Sequence, residues 1–379
     1  MKIVVLADFP VFLIPGSGIE HRPAHYATWL PQLAEGFSGH LDEFEFHWIT
    51  LSDALSEPRQ VMHLGQHVHL LPKAARGRAA SLYRQDMKAI RDLIGDIQPD
   101  LVHGWGTEDV YGWAAVHLHP NHIVSLQGIL TYYIRKNRYP ARYYLQAALE
   151  AVVLARAKRV TVESIWGKKQ ISPLRFGKPI DCVEYGVNPR WFEATWNPDP
   201  TVPAAIFVGG INPRKGVQDL VAAFSDPELI DKECWIVGDG DPNFTRSLKA
   251  KSPPNVHWLG RKSMEETIAL MEKAWCLVLP TRADTSPNVV KEARVLGLPV
   301  ITSPHGGQSD YIIHGQTGLL ATPGNSVDLC RHLGQLLGNL EFCRKTGFCR
   351  HENQRQHFRP NRTADNFLEL YRSLSATEA

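Results

Sequence analysis

The amino-acid sequence predicts an α/β protein with two similar doubly wound halves, and three observations point there. Short apolar, strand-like runs alternate with amphipathic, helix-like stretches along the chain, the pattern of parallel sheets covered by helices. Residues 188–203 interrupt that alternation with Pro189, Pro198, Pro200 and Pro203 and few periodic apolar positions, as a linker would. A length of 379 residues suits two or three domains. The boundaries that follow are an N-terminal domain over 1–190, a linker over 191–203, a second domain over 204–355 and a closing segment over 356–379.

In the first half, strands are expected at residues 3–7, 45–50, 68–71, 101–103, 123–126 and 160–163, short runs rich in Val, Ile and Leu. Residues 79–97 and 143–157 carry apolar positions at helical spacing between them. In the second half, strands are expected at 205–208, 234–237, 256–259, 276–280 and 299–302, and a last helix at 362–374. Two doubly wound domains of this kind place ligands at the carboxyl ends of their strands.

Composition excludes several classes. Hydrophobic residues make up 44% of the chain and charged residues 21%, enough apolar material for cores and too little charge for a disordered chain. The formal charge of +2 does not point to a nucleic-acid partner. Six cysteines stand apart without a Cys-x-x-Cys pair, so a disulfide framework is not expected. Cys343, Cys349, His351 and His357 fit no standard zinc spacing, and bystander thiols explain them more simply. The opening run to Asp8 is too short for a signal h-region and reads as a buried first strand. No run of about 20 apolar residues is present to span a membrane, and a cytoplasmic protein is expected.

The segment from Asp284 to Glu292 is the most informative. Ser286 is a good N-cap and Pro287 a good first helical residue. Gly297 and Pro299 then close the helix. Unpaired amides at Asn288 and Val289 would make an anion site, with a carboxylate on either side of it. That arrangement suits a ligand with a central diphosphate and hydroxyl-bearing sugars at both ends. Eight helical residues span about 12 Å, too far for one metal ion to bridge the acids. A capped surface helix with scattered acids fits the same residues.

Other segments join it. The stretch from Asp284 to Pro299 resembles the paired-acid signature of retaining glycosyltransferases of family 4. Glu292 matches the second glutamate of that signature, and Asp284 falls on the first, one methylene shorter. Thr285-Ser286-Pro287 replaces the usual Gly-Phe-Gly. Four further segments resemble the family in order: 206–216 with its Arg214-Lys215-Gly216, the Gly238-Asp239-Gly240 turn, 300–307 and 315–320. The resemblance implies the GT-B fold, two facing Rossmann-like domains with a cleft between them. It also implies a donor bound mainly by the second domain, an acceptor bound by the first, and a closing helix packed back on the first domain.

Roles follow from the same resemblance. Arg214 and Lys215 would stabilise the leaving nucleoside diphosphate, the arginine as a planar fork and the lysine as a compact charge. The family arginine lies earlier, where Gly210 stands, so Arg214 would take over its contact. Glu292 would accept the ribose hydroxyls and Asp284 those of the donor sugar. Ser286 and the amides of Asn288 and Val289 would border the diphosphate. Gly16, Ser17 and Gly18 resemble the family's glycine loop near the donor phosphates. They are not a dinucleotide fingerprint, because His21 occupies the third glycine's place. Gln127 stands where many relatives carry histidine; it can position groups but cannot act as a base at neutral pH. His103 resembles a histidine common at a neighbouring strand end, and a structural role fits it equally.

Two basic stretches remain: Lys73, Arg76, Arg78, Arg84, Lys88 and Arg91, then Arg135, Lys136, Arg138 and Arg142 among Tyr132, Tyr133, Tyr139, Tyr143 and Tyr144. Solvated helix faces account for such runs; contact with an anionic membrane or acceptor is the alternative. The expectation is a retaining glycosyltransferase that takes its sugar from a nucleotide-diphosphate sugar and delivers it to a hydroxyl acceptor. No cofactor or metal is expected, since no Asp-x-Asp stands beside the donor motif. A catalytically weak nucleotide-sugar-binding partner, or another GT-B enzyme such as a sugar-nucleotide epimerase, are the alternatives.

Overall fold

The computed structural model describes residues 1–20, 27, 29–75, 77–136 and 138–375. His21, Arg76 and the side chain of Lys136 therefore lie outside the described residues. Contacts divide the chain into two units, Met1–Gly186 joined by the closing helix Pro360–Ser375, and Val187–Arg359.

The first unit is built on strands β1 (Lys2–Leu6), β2 (Glu45–Ser52), β3 (Arg59–His63), β4 (Gln66–Pro72), β5 (Leu101–Trp105), β6 (His122–Ser125), β7 (Arg159–Val162) and β8 (Ile180–Cys182). Their order in the sheet is β3-β4-β2-β1-β5-β6-β7-β8, parallel except that β3 runs antiparallel to β4. In β1, Ile3 and Val5 enter the core on one face while Val4 and Leu6 enter the core on the other. A strand covered on both faces reads as a continuous apolar run, which is how residues 3–7 read. The strands not anticipated are the marginal ones. Strand β3 is a mostly exposed edge of Arg, Gln, Val, Met and His, and β8 is three residues long at the opposite edge.

The second unit carries β9 (Ala204–Val208), β10 (Glu233–Val237), β11 (Val256–Gly260), β12 (Cys276–Leu279), β13 (Val300–Thr302) and β14 (Gly318–Leu320), in the order β11-β10-β9-β12-β13-β14. All five pairings are parallel. The order reverses direction between β1 and β5 in the first sheet and between β9 and β12 in the second. Such switch points open a crevice at the strand carboxyl ends, where ligands bind in this class of sheet.

Two expectations need correction. Residues 191–203 are not a free linker, because apolar burial overrides the proline content. Trp191 and Trp196 are 2% and 3% exposed and belong to the second core. Trp196 Nε1 donates to Ala274 O at 2.7 Å, and Trp275 Nε1 donates to Asp199 O at 2.6 Å. The helix expected from residue 79 begins at Arg84. Tyr83 before it takes a left-handed φ of 56°, which breaks the helix.

The closing helix buries Ala364, Phe367, Leu368, Tyr371 and Leu374 in the first unit's core. There Tyr371 Oη and Ser125 Oγ lie 2.7 Å from the two ring nitrogens of His103. The ring is fully buried, and burial drives its pKa down to about 3. His103 is therefore a core residue with both nitrogens occupied, which corrects its placement on the acceptor side. Tyr371→Phe should destabilise the protein by about 1–3 kcal/mol, the cost of leaving a buried polar atom unpaired. A denaturation curve superimposable on that of the parent would contradict this account.

Candidate functional site

At the switch point of the second sheet, β9 runs into Gly209-Gly210-Ile211-Asn212 and then a short 3-10 turn, Pro213–Lys215. Asn212 caps the turn, its side chain accepting from Lys215 N at 3.2 Å. Gly216 ends it with a φ of 78°, and a Cβ there would lie 2.2 Å from Pro280 O. No side chain fits that approach, and glycine alone reaches such a φ without strain. The loop after β12 is thus pressed against this turn. Arg282 N donates to Arg214 O at 2.7 Å, and Arg214 Nη1 donates to Ala283 O at 2.6 Å.

The close approach brings three of the expected residues together. Lys215 Nζ makes a short hydrogen-bonded ion pair with Asp284 Oδ2. Arg214 Nη1 stands 3.4 Å from the same oxygen. Burial opposes ionisation of Asp284, but the Lys215 and Arg214 charges outweigh it and hold the carboxyl below its ordinary value. Asp284 O also accepts from Gly307 N at 2.9 Å.

The next helix, Asn288–Leu296, starts one residue later than expected. Pro287 is its N-cap, in extended conformation, and no side chain caps the end. Ser286 is turned away from the capping position, its Oγ lying 2.8 Å from Tyr311 Oη. Asn288 and Val289 are the first two helical residues, so neither amide has an intrahelical acceptor. Gly297 closes the helix with a φ of 94°, as expected. Glu292, inside this helix, has an environment opposite to that of Asp284. Burial pushes its carboxyl up to about 7, and the charge of Lys291 offsets only part of that.

A cavity of about 390 Å³ lies at the ends of β10 and β11, lined by Gly238, Gly240, Arg246, Lys249, Trp258 and Gly260 among others. Its floor depends on two close approaches: a Cβ on Gly238 or on Gly240 would lie 1.9 Å from the carbonyl of Gly209 or of Ile211. In the sequence the same glycine pair reads as a simple turn, with no sign of a cavity.

In the first unit, Gly16 and Gly18 have φ values of 79° and 70° with a buried Ser17 between them. Arg59 Nη1 donates to Ser17 O at 2.5 Å. Gln127 follows β6, close to Gly106 at the end of β5. The residue that sequence reading missed is Glu108, which ties these two strand ends together. Its carboxylate accepts from Thr107 N and Gly128 N, each at 2.9 Å. A Cβ on Gly106 or Gly128 would come within 2.8 Å of that carboxylate. Burial, then the nearby charge of Glu150, push Glu108 up to about 7. Glu150 is itself fully buried and accepts from Thr107 Oγ1, Leu130 N, and both Thr131 N and Oγ1. A Thr-Glu pair directly after the glycine that follows β5 was the available signal.

Of the basic stretches, Lys73 and Arg78 are held by Asp109, and Arg78 also by Asp86. Arg84, Lys88 and Arg91 are exposed on one helix. Arg135, Arg138 and Arg142 are exposed as well, near exposed Tyr144 and Leu145. Among the described residues, no helix is long and apolar enough to cross a membrane. The side-chain groups there that could hold a metal ion include neither Asp284 nor Glu292.

Residues 202–339 match the family model described as glycosyl transferases group 1. The matched segment lies within the second unit. All of Arg214, Lys215, Asp284 and Glu292 fall inside it. Over 316 residues the chain is 27% identical to an uncharacterised glycosyltransferase of Methanocaldococcus jannaschii, covering 81% of this chain and 83% of that one. Its fold is similar to that of sucrose-phosphate synthase from Thermosynechococcus elongatus, with a TM-score of 0.83 at 19% identity over 99% of both chains. It is also similar to Anabaena HepE in complex with UDP and glucose, with a TM-score of 0.72 at 15% identity over 98% of this chain and 100% of that one. The fold is GT-B, and the matches together support a glycosyltransferase.

The raised carboxyl of Glu292 makes stability depend on pH. Its folded value of about 7 lies above the ordinary 4.5, so its favourable contribution is complete below about pH 4.5 and lost as pH rises through 7. Glu292→Gln should therefore gain stability relative to the parent between pH 5 and pH 8, by on the order of 1–2 kcal/mol given partial exposure. Denaturation of both proteins across that range tests this, and a constant difference would contradict it.

Proposed function

We propose that this chain is a retaining glycosyltransferase that uses a nucleotide-diphosphate sugar and needs no metal ion for transfer. The observation that carries the reading is the convergence of Arg214 and Lys215 on Asp284, next to the open amides of Asn288 and Val289. In the resting protein Asp284 serves as counter-charge to the two cations. When donor binds, its diphosphate takes over the cations and the helix amides, and Asp284 is released to accept hydroxyls of the donor sugar. As the sugar C1–O bond breaks, negative charge grows on the departing phosphate oxygen, where Arg214 and Lys215 are already oriented. The acceptor oxygen forms its bond to C1 on the same face, and its proton passes to that phosphate oxygen. The product retains configuration and no side chain need act as base.

Glu292 takes the ribose hydroxyls, and the cavity beside Trp258 takes the base. Gly16, Ser17 and Gly18 belong to donor phosphate recognition, and Gln127 to positioning the acceptor. UDP in the HepE structure makes a uridine nucleotide the first donor to try. The exposed Arg135, Arg138 and Arg142 with Tyr144 and Leu145 suit peripheral contact with an anionic, cytoplasmic membrane face that presents the acceptor. Co-sedimentation with phosphatidylserine vesicles should fall at least several-fold when the three arginines become glutamine; unchanged sedimentation would remove the membrane from this reading.

A thermal-shift screen of nucleoside diphosphates and their sugars identifies the donor, because a ligand raises stability by mass action. With that donor, Lys215→Ala should lose about 10²–10³ in turnover with the fold intact. Asp284→Asn should lower turnover far more than nucleoside diphosphate affinity, while Glu292→Gln weakens that affinity by about 1.5–3 kcal/mol. Turnover should also persist in excess chelator. Normal turnover in Lys215→Ala or Asp284→Asn would overturn the assigned roles, and activity abolished by chelator and restored by magnesium would overturn the metal-free mechanism.

A further inference from the structure

The amino-terminal edge of the first sheet holds a cluster that glycosyl transfer does not use. Glu45 and His47 are two apart on β2, and His67 and His69 two apart on β4, so each pair shares a sheet face. The parallel register sets His47 opposite His67 and Ile49 opposite His69. His47 Nε2 lies 2.8 Å from Glu45 Oε1, and the rings of His47 and His67 stack with centroids 4.6 Å apart. One ligand atom from each of Glu45, His47 and His67 lies within 4.8 Å of the others.

We propose that Glu45, His47 and His67 form a binding site for one zinc ion, with water as the fourth ligand. A tetrahedral zinc with bonds of about 2.0–2.1 Å holds its ligand atoms about 3.3 Å apart. Glu45 and His47 are already closer than that, and His67, within 4.8 Å of both, joins them by rotating its ring out of the stack. Binding costs His47 no net proton: the hydrogen between its Nε2 and Glu45 is given up while one is held at Nδ1, and zinc takes the vacated position. The outer partners that orient a metal-bound imidazole are present too. His47 Nδ1 lies 3.0 Å from His69 Nε2, which can accept its proton. Gln60 meets His67 Nδ1 at 3.1 Å; turned over, its amide oxygen accepts Nδ1–H and leaves Nε2 to the metal. Entry is open on one side, since the Glu45 side chain is 51% exposed while that of His47 is 9% exposed. Two imidazoles with one carboxylate favour a borderline ion such as zinc over magnesium or calcium. The ion would pin β2 to β4 far along these strands from their carboxyl ends, a structural role apart from catalysis.

Calorimetric titration of tag-free full-length protein with zinc chloride tests this. One equivalent should bind, the thermal midpoint should rise, and a large excess of magnesium should not compete. Glu45→Gln and His67→Gln alter the more exposed ligands, so the fold should survive, and each should weaken zinc at least 10-fold. Cys330→Ser, in a second group with Asp226 and Glu228, should leave zinc binding unchanged. No zinc uptake by the parent would overturn the proposal, as would undiminished uptake in both ligand variants or loss of uptake in Cys330→Ser.

Discussion

The second unit depends on how closely three turns can approach at the carboxyl ends of β9, β10 and β12. Gly216 lets the Pro280 carbonyl come where a methyl group would stand, and Gly238 and Gly240 do the same for Gly209 and Ile211. Any side chain at these positions would push the turns apart. Because the approach is made by backbone, it is held by backbone hydrogen bonds, Arg282 N to Arg214 O and Ile211 N to Asp239 O. The cations of the Pro213–Lys215 turn therefore meet Asp284 as a consequence of main-chain geometry, and preorganisation of this kind is what makes fixed charges effective.

From that geometry the two acids of the motif acquire opposite characters. Asp284 sits among cations and stays ionised despite its burial. Glu292 sits in a helix with burial unopposed except by Lys291, and its carboxyl is raised to about 7. Environments that push paired carboxyls apart commonly mark a division of labour. Here it separates an acid held ionised by two cations from one whose carboxyl burial raises.

The first unit shows the same principle with different groups. Its switch point brings the ends of β1 and β5 together, and Glu108 joins the β5 end to Gly128 beyond β6. The residue that looked chemically active there, His103, is sealed in the core by Ser125 and Tyr371. Tyr371 comes from the last helix, 268 residues further on, and no local pattern announces such a partner. Glu108 escaped notice for a related reason, because its raised carboxyl is produced by burial and by Glu150 across the fold.

Much was legible in residue order alone. Central strands declared themselves because burial on both faces demands continuous apolar runs, as in β1, β9 and β12. Glycines at turns, the Arg214-Lys215-Gly216 motif and the spacing from Asp284 to Glu292 are likewise properties of the chain itself. Edge strands such as β3 were hidden, since one exposed face removes the apolar signal. The proline-rich 191–203 stretch looked like a linker until Trp191 and Trp196 found a core to enter. Ser286 looked like a cap until Tyr311 offered its hydroxyl. Local sequence determined which groups the protein has and the backbone shapes they permit. Only the tertiary structure decided which are buried and which meet, because burial and pairing depend on neighbours far away along the chain.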